Sequence, residues 1–238
     1  MATQNLLFKR ELIINDHIKI LIPTVGEVIE HEDDYYGSVF ALTAMPIDMM
    51  VQLDDIGIDF TTIDEWGLFL ILHDMLAKQD LSMIFGDLKL DEFKPSINPQ
   101  NGLLLLENKR TGARIDRSVL SMISDALRRI HHLEKDNRKP ANEEAKEYMI
   151  ERARKKLRRN KNRVMKSQLE EQIVAMVNTE QFHYGFENVR DLSIYQFNES
   201  VRQVIKKVDY NNKMYGVYSG TISPKDLSQD ELNWLTHK

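Results

Sequence analysis

The sequence predicts a mainly α protein with a small N-terminal β-hairpin and a short mid-chain β-hairpin, an α+β fold. Three observations carry this. Apolar residues recur at helical spacing in long stretches, as in Trp66, Phe69, Leu70, His73 and Leu76 or Leu120, Ile123, Leu127 and Ile130. Two β-rich runs, Leu6 to Ile14 and His17 to Ile22, flank Asn15-Asp16, residues that tolerate a left-handed turn. Leu103 to Glu107 and Ala113 to Asp116 flank a loop from Asn108 to Gly112, a second hairpin. With 238 residues, 42% of them hydrophobic and 29% charged, the chain can bury a core and is not mainly disordered.

Taken in order, Pro23 stops the second strand. Thr24 and Glu27 form a Thr-x-x-Glu capping box that opens a helix from Val25 to about Glu32. A second helix is expected from Tyr35 to Thr43, with Tyr36, Val39, Phe40 and Thr43 on its core face. Pro46 can open the next helix, because its missing N–H costs nothing at the first helical position. Met49, Met50 and Leu53 would face its core, and Gly57 ends it. Thr61 or Thr62 is the expected cap of the helix carrying Trp66 to Leu76, with Asp64 and Glu65 in its first turn. Asp80 to Pro99 reads as irregular, with a turn at Phe85-Gly86-Asp87. Asp116 or Ser118 caps a long helix reaching Leu133. Helices are then expected from Glu143 to about Arg159 and from about Ser167 to Val177. Another, capped by Asp191 or Ser193, runs to about Val208 and buries Ile194, Phe197, Val201, Val204 and Ile205. Gly216 and Gly220 interrupt the pattern, and Ser223-Pro224 with Ser228-x-x-Glu231 sets up a short final helix ending at Trp234.

The polar run Asp136 to Asn142, containing Pro140, is the best linker. It divides the chain into an acidic region, residues 1–135, holding the β-hairpin and several helices, and a helical region, residues 142–238, with a basic helix. Charge is polarised along the chain. Residues 1–65 hold three basic and thirteen acidic side chains; residues 108–166 hold nineteen basic and eight acidic. Such asymmetry marks a nucleic-acid or membrane contact, an assembly surface, or two regions that neutralise each other within one fold. No apolar run approaches the roughly 18 residues of a membrane span. Met1 to Leu7 lacks the basic and apolar regions of a signal peptide, so a cytosolic location is expected. Cys is absent, which excludes disulfides and thiolate chemistry.

No catalytic signature is present. None of the seven His lies in an HExxH, HxH or HxE pattern. His131 and His132 would point about 100° apart on a helix, and a solvated helix end is expected for them. Asp48, Asp54, Asp55, Asp59 and Asp64 lack the EF-hand pattern and read as helix-start and turn carboxylates. Phosphate-cradling and nucleophile-elbow motifs are missing. The expectation is a protein without catalytic residues, metal or cofactor. The one conspicuous stretch holds Arg152, Arg154, Lys155, Lys156, Arg158, Arg159, Lys161 and Arg163 with no acidic residue. It could neutralise phosphates, yet it has no aromatic residue for base stacking, Tyr148 being the nearest. Contact with acidic protein surface is the favoured reading: this chain's own N-terminal third, a second copy or a partner.

Several strings are similar to those of small proteins encoded in the tail-morphogenesis region of long-tailed phages and prophages of Gram-positive bacteria. They are Ile22-Pro23-Thr24-Val25-Gly26-Glu27, Gly57-Ile58-Asp59, Phe85-Gly86-Asp87, Met176-Val177-Asn178, Phe182-His183-Tyr184, Tyr218-Ser219-Gly220 and Leu232-Asn233-Trp234. They span nearly the whole chain. The N-terminal hairpin, Pro-Thr turn and following helices also resemble tail assembly chaperones. The resemblance implies a factor of the host cytoplasm that handles the tape-measure protein while tail tube subunits polymerise. It carries no catalytic residue. The competing readings are a structural virion component, such as a head–tail connector or baseplate piece, and a nucleic-acid-binding protein acting through Arg152 to Arg163.

Overall fold

A computed structural model describes residues 5–160 and 167–235. The fold is α+β: helices dominate, with a two-stranded antiparallel hairpin near the N-terminus and a three-stranded antiparallel sheet mid-chain.

Strands β1 (Glu11–Ile13) and β2 (Lys19–Leu21) pair with Leu12 opposite Ile20. Asn15 Oδ1 accepts the backbone N–H groups of His17 and Ile18, each at 2.9 Å, fixing the expected turn. The first strand is shorter than the sequence suggests. Asn5 Oδ1 accepts the Leu7 N–H at 2.9 Å and the Leu6 carbonyl accepts the Lys9 N–H at 3.1 Å, so this stretch turns locally instead of pairing.

Helix α1 (Val25–Glu30) begins with both halves of the capping box: Glu27 N–H donates to Thr24 Oγ1 at 3.1 Å, and Thr24 N–H to Glu27 Oε2 at 2.7 Å. Helix α2 (Glu32–Thr43) starts earlier than expected and buries a different face. Tyr35, Val39, Leu42 and Thr43 are inside, Tyr36 is half-buried, and Phe40 is 48% exposed. Its apolar residues lie on more than one face, and the neighbours choose between them. A 3₁₀ turn at Pro46–Met49 leads into α3 (Met50–Asp55). Asp64, not Thr61 or Thr62, caps α4 (Glu65–Leu76), its Oδ1 accepting the Gly67 N–H at 3.0 Å. The two threonine hydroxyls instead donate to Asp59, Thr61 to its carboxylate and Thr62 to its carbonyl.

The stretch after α4 is not irregular throughout. It holds α5 (Ser82–Phe85), a 3₁₀ turn at Leu90–Glu92 and β3 (Lys94–Ile97), which joins β4 (Leu104–Glu107) and β5 (Arg114–Ile115) in the order β3-β4-β5. Pro95 obscures β3 in the sequence, since it cannot donate to a ladder; as an edge strand β3 tolerates it. Asp116 caps α6 (Arg117–His131), accepting from Val119 N–H at 2.9 Å. After residues 132–142 come α7 (Glu143–Asn160), α8 (Gln168–Val177), α9 (Phe186–Val189) and α10 (Ile194–Tyr218).

Helix α10 continues beyond Val208 through Gly216. A Cβ at Gly216 would sit 2.5 Å from Ile222 Cδ1, so glycine here lets the returning chain lie close without ending the helix. The expected final helix is reduced to a 3₁₀ turn at Pro224–Asp226, with Ser228 and Glu231 closing a further turn.

A single apolar core joins both parts of the chain. It includes Ile20, Val28, Leu68, Phe93, Leu127, Leu169 and Phe197. The starts of α1 and α10 are tied backbone to backbone. Val25 N–H donates to the Leu192 carbonyl at 2.9 Å, and Ile194 N–H to the Pro23 carbonyl at 2.8 Å. Gly26 N–H reaches the Arg190 carbonyl at 2.9 Å, an approach that a Cβ, 3.2 Å from that oxygen, would crowd.

Candidate protein-contact surface

Helix α7 lies on α3. Two cations hold it there. Lys146 Nζ is 2.8 Å from Asp59 Oδ2, and Arg154 Nη2 is 2.9 Å from Asp54 Oδ2 while also engaging Asp55. The Lys146 bond, with Thr61 N–H and hydroxyl donating as well, holds the Asp59 carboxyl down at about 2. Hydrogen bonds to Asp59 and Glu143 push the Lys146 amine up to about 12. Asp54 and Asp55 together raise the Arg154 guanidinium above its ordinary value. Half-buried Met149 and Ile150 fill the same side of the helix.

The other sequence-predicted residues face away. Arg152, Lys155, Lys156 and Arg159 recur at i, i+3, i+4 and i+7, so they share one stripe roughly opposite the α3 contact. All four are exposed, as is Arg158. Lys155 pairs with Glu151 one turn back at 2.7 Å. Among the described residues, Arg152, Lys156, Arg158 and Arg159 have no ion pair. Lys161 and Arg163 lie outside the described residues. From Lys155 to Asn160 every residue is exposed, Leu157 included at 49%. The structure thus separates Arg154, which fastens the helix, from its outer cations.

A second charged feature lies elsewhere. A notch of about 330 Å³ is lined by Ile29, Glu30, His31, Glu32, Asp33, Asp34 and Ser167. Glu32 points inward and accepts the Leu169 N–H at 3.0 Å. Glu30 has Arg190 at 3.8 Å, and Asp33 and Asp34 carry no ion pair among the described residues. The dense carboxylates of Glu27 to Asp34 are visible in the sequence; their concave setting is not.

The acidic stretch from Asp48 to Asp64 is spent on structure. Besides Asp54, Asp55 and Asp59, Asp48 Oδ2 accepts the Met45 N–H at 2.8 Å, and Asp64 combines its cap with an ion pair to Arg117.

Sequence reasoning misses a buried polar group on α6. Arg128 reaches the Thr43 carbonyl, Glu65 and Asp125, with its side chain 7% exposed. Lys135 Nζ approaches Glu65 at 2.8 Å. Burial pushes the Glu65 carboxyl up, but hydrogen bonds from Lys135 and Arg128 outweigh it and hold it below the usual value. His131 corrects an expectation: it is half-buried with its imidazole turned inward, not solvated. Its Nε2 lies 3.0 Å from the Tyr35 hydroxyl, its ring contacts Tyr35 and Tyr36, and its Nδ1 has no partner. Desolvation, with a smaller contribution from His132, lowers it to about 4. His132 ends the helix in the left-handed conformation at φ 54° and lies 3.4 Å from Glu199.

Residues 159–238, the last third of the chain, match the family model described as the YomV second domain. YomV is a Bacillus phage-region protein, so the match suggests a phage origin. No curated protein and no solved structure matches the chain.

Proposed function

We propose that the protein is a non-catalytic phage morphogenesis factor, a tail assembly chaperone that engages the tape-measure protein, and with it tail tube subunits, through the outer face of α7. The observation that carries the reading is that face: Arg152, Lys155, Lys156 and Arg159 project from a helix already anchored by Lys146 and Arg154. The similarity of the last third to a phage-region domain supports it, as do the tail-region strings spread along the chain. Acidic protein fits the face better than nucleic acid, because no aromatic lies between Arg152 and Arg159; exposed Tyr148, one turn before Arg152 on the same side, is a single ring, and successive bases need a series of them. The reading assigns the chain to the host cytoplasm, acting before the particle is finished.

The test is a pair of titrations, one with a tape-measure fragment and one with random duplex DNA, at low and physiological salt. The fragment should bind, more tightly at low salt, and replacing Arg152, Lys155, Lys156 and Arg159 with Gln should weaken it. Salt-sensitive DNA binding that disappears in the variant would replace this reading with the nucleic-acid one. Recovery of the protein in purified virions would make it a structural component instead, because a chaperone leaves.

A further inference from the structure

We infer that α7 is a detachable strap: the α3 surface beneath it, Met49 to Asp59, is a docking site for a basic amphipathic helix of another protein, and α7 fills that site as an internal stand-in until it lifts. The site is covered by the inner face of α7, so it stands apart from whatever the outer face engages.

The hold on α7 is light. None of its residues is buried. Its inner stripe is Ala145, Lys146, Met149, Ile150, Ala153 and Arg154, all half-buried, and the rest of the helix is exposed. Among the described residues, no backbone hydrogen bond joins residues 134–160 to the rest of the chain, whereas α10 is stitched to the edge before α1. What fastens α7 is Lys146 on Asp59 and Arg154 on Asp54 and Asp55. Ion pairs at a surface are worth little each and weaken with salt, and a segment with few buried contacts opens at low cost. The helix also carries its own support. Asn142 Oδ1 caps it, accepting the Ala145 N–H at 2.8 Å, while Lys146 pairs with Glu143 and Lys155 with Glu151 along its surface. It therefore lifts as a helix and does not melt in place.

The strap also shows what the site takes. Its inner face reads cation, apolar pair, cation: Lys146, then Met149-Ile150, then Arg154. The surface below answers with half-buried Met49, Met50 and Ile58 and with the carboxylates of Asp54, Asp55 and Asp59. Methionine adapts to neighbours of different shape, so the apolar part accepts a helix other than α7. The carboxylates are more selective. They call for cations about one turn to either side of the apolar pair, and they repel an acidic helix.

The test uses the full chain and a labelled synthetic peptide with the sequence of residues 143–160, read by fluorescence anisotropy. In the wild type the tethered helix is present at an effective concentration of roughly millimolar, so a probe at far lower concentration should bind weakly. Lys146→Gln with Arg154→Gln in the full chain unfastens the strap and leaves the site intact; the probe should then bind at least about tenfold more tightly. Met149→Gln with Ile150→Gln should shift binding in the same direction through the apolar half of the contact. Adding Asp54→Asn, Asp55→Asn and Asp59→Asn to either variant should abolish the gain. A probe carrying Lys146→Gln and Arg154→Gln should not bind at all. Slow amide exchange in α6 shows that each variant is folded. Probe binding that is the same in the wild type and both opened variants, or absent from all three, overturns the inference, as does binding that survives loss of the carboxylates. No tail protein is present, so this outcome is separate from that of tape-measure capture.

Discussion

Lys146 and Asp59 are 87 residues apart in the chain and 2.8 Å apart in the fold. Their pairing sets where α7 lies, because it joins the first turns of that helix to the loop after α3. Everything beyond Arg154 is a lever held at this end.

Replacing Lys146 with Met should therefore release the lever. The Asp59 carboxyl, held at about 2 by that amine and by Thr61, should titrate nearer its ordinary value of about 3.9. NMR-detected titration measures it. Amide exchange along α7 should quicken in the same variant, while exchange in α6 stays slow. An unchanged Asp59 titration would mean that Thr61, and not Lys146, governs the carboxylate.

Thr24→Ala and Ser193→Ala should each cost about 1 kcal/mol, the usual loss for a helix N-cap. For a chain of this size that is roughly 2–4 °C in the thermal midpoint, read by calorimetry. Both residues also accept an N–H from the third helical position and receive a side chain in return. Glu27→Ala should thus show a smaller share of the Thr24 loss.

Arg128→Met should be far more damaging. It leaves the Glu65 carboxylate buried with only Lys135, and breaking a buried pair by removing one partner costs about 3–5 kcal/mol. Adding Glu65→Gln to that variant should restore part of the loss, since the stranded charge is gone. Urea denaturation of the two variants gives the comparison.

His131 makes stability depend on pH. The unfolded chain takes up a proton at this imidazole near 6.5, whereas the folded chain does so only at about 4. Between those values the unfolded state binds more protons, so stability falls as pH falls. The slope approaches about 1.4 kcal/mol per pH unit, and it levels off below the folded value. His131→Phe keeps a ring against Tyr36 but has nothing to protonate. Its urea midpoint should vary less between pH 6.5 and 4.5 than that of the wild type.

Features written in adjacent residues are legible in the sequence. The Thr24-x-x-Glu27 box, the Asp116 cap and the Asn15 turn each depend on a side chain bonding a backbone group a few positions away. Features chosen by distant neighbours are not. The inward face of α2 is decided partly by Ser124, whose hydroxyl donates to the Leu42 carbonyl at 2.7 Å. The inward setting of the His131 ring needs Tyr35 across the helix pair. β3 hides behind Pro95 until β4 is beside it. The same limit applies to the candidate surface. Charge asymmetry is plain in the sequence, yet no count of charges separates Arg154, which lies against α3, from Arg159, which does not.

The backbone tie between the starts of α1 and α10 limits how this protein can be divided. The stretch that resembles the phage-region domain begins within α7, but the first N–H of α10 is satisfied by Pro23 and the Leu192 carbonyl by Val25. Cut free, that last third would expose a helix start whose partners stayed behind, along with the apolar ends of Ile194 and Phe197, both fully enclosed in the whole chain. The sequence unit that the family model describes leans here on the Pro23–Gly26 edge. If the unit occurs in other proteins, each must supply its own substitute for the Pro23–Gly26 edge.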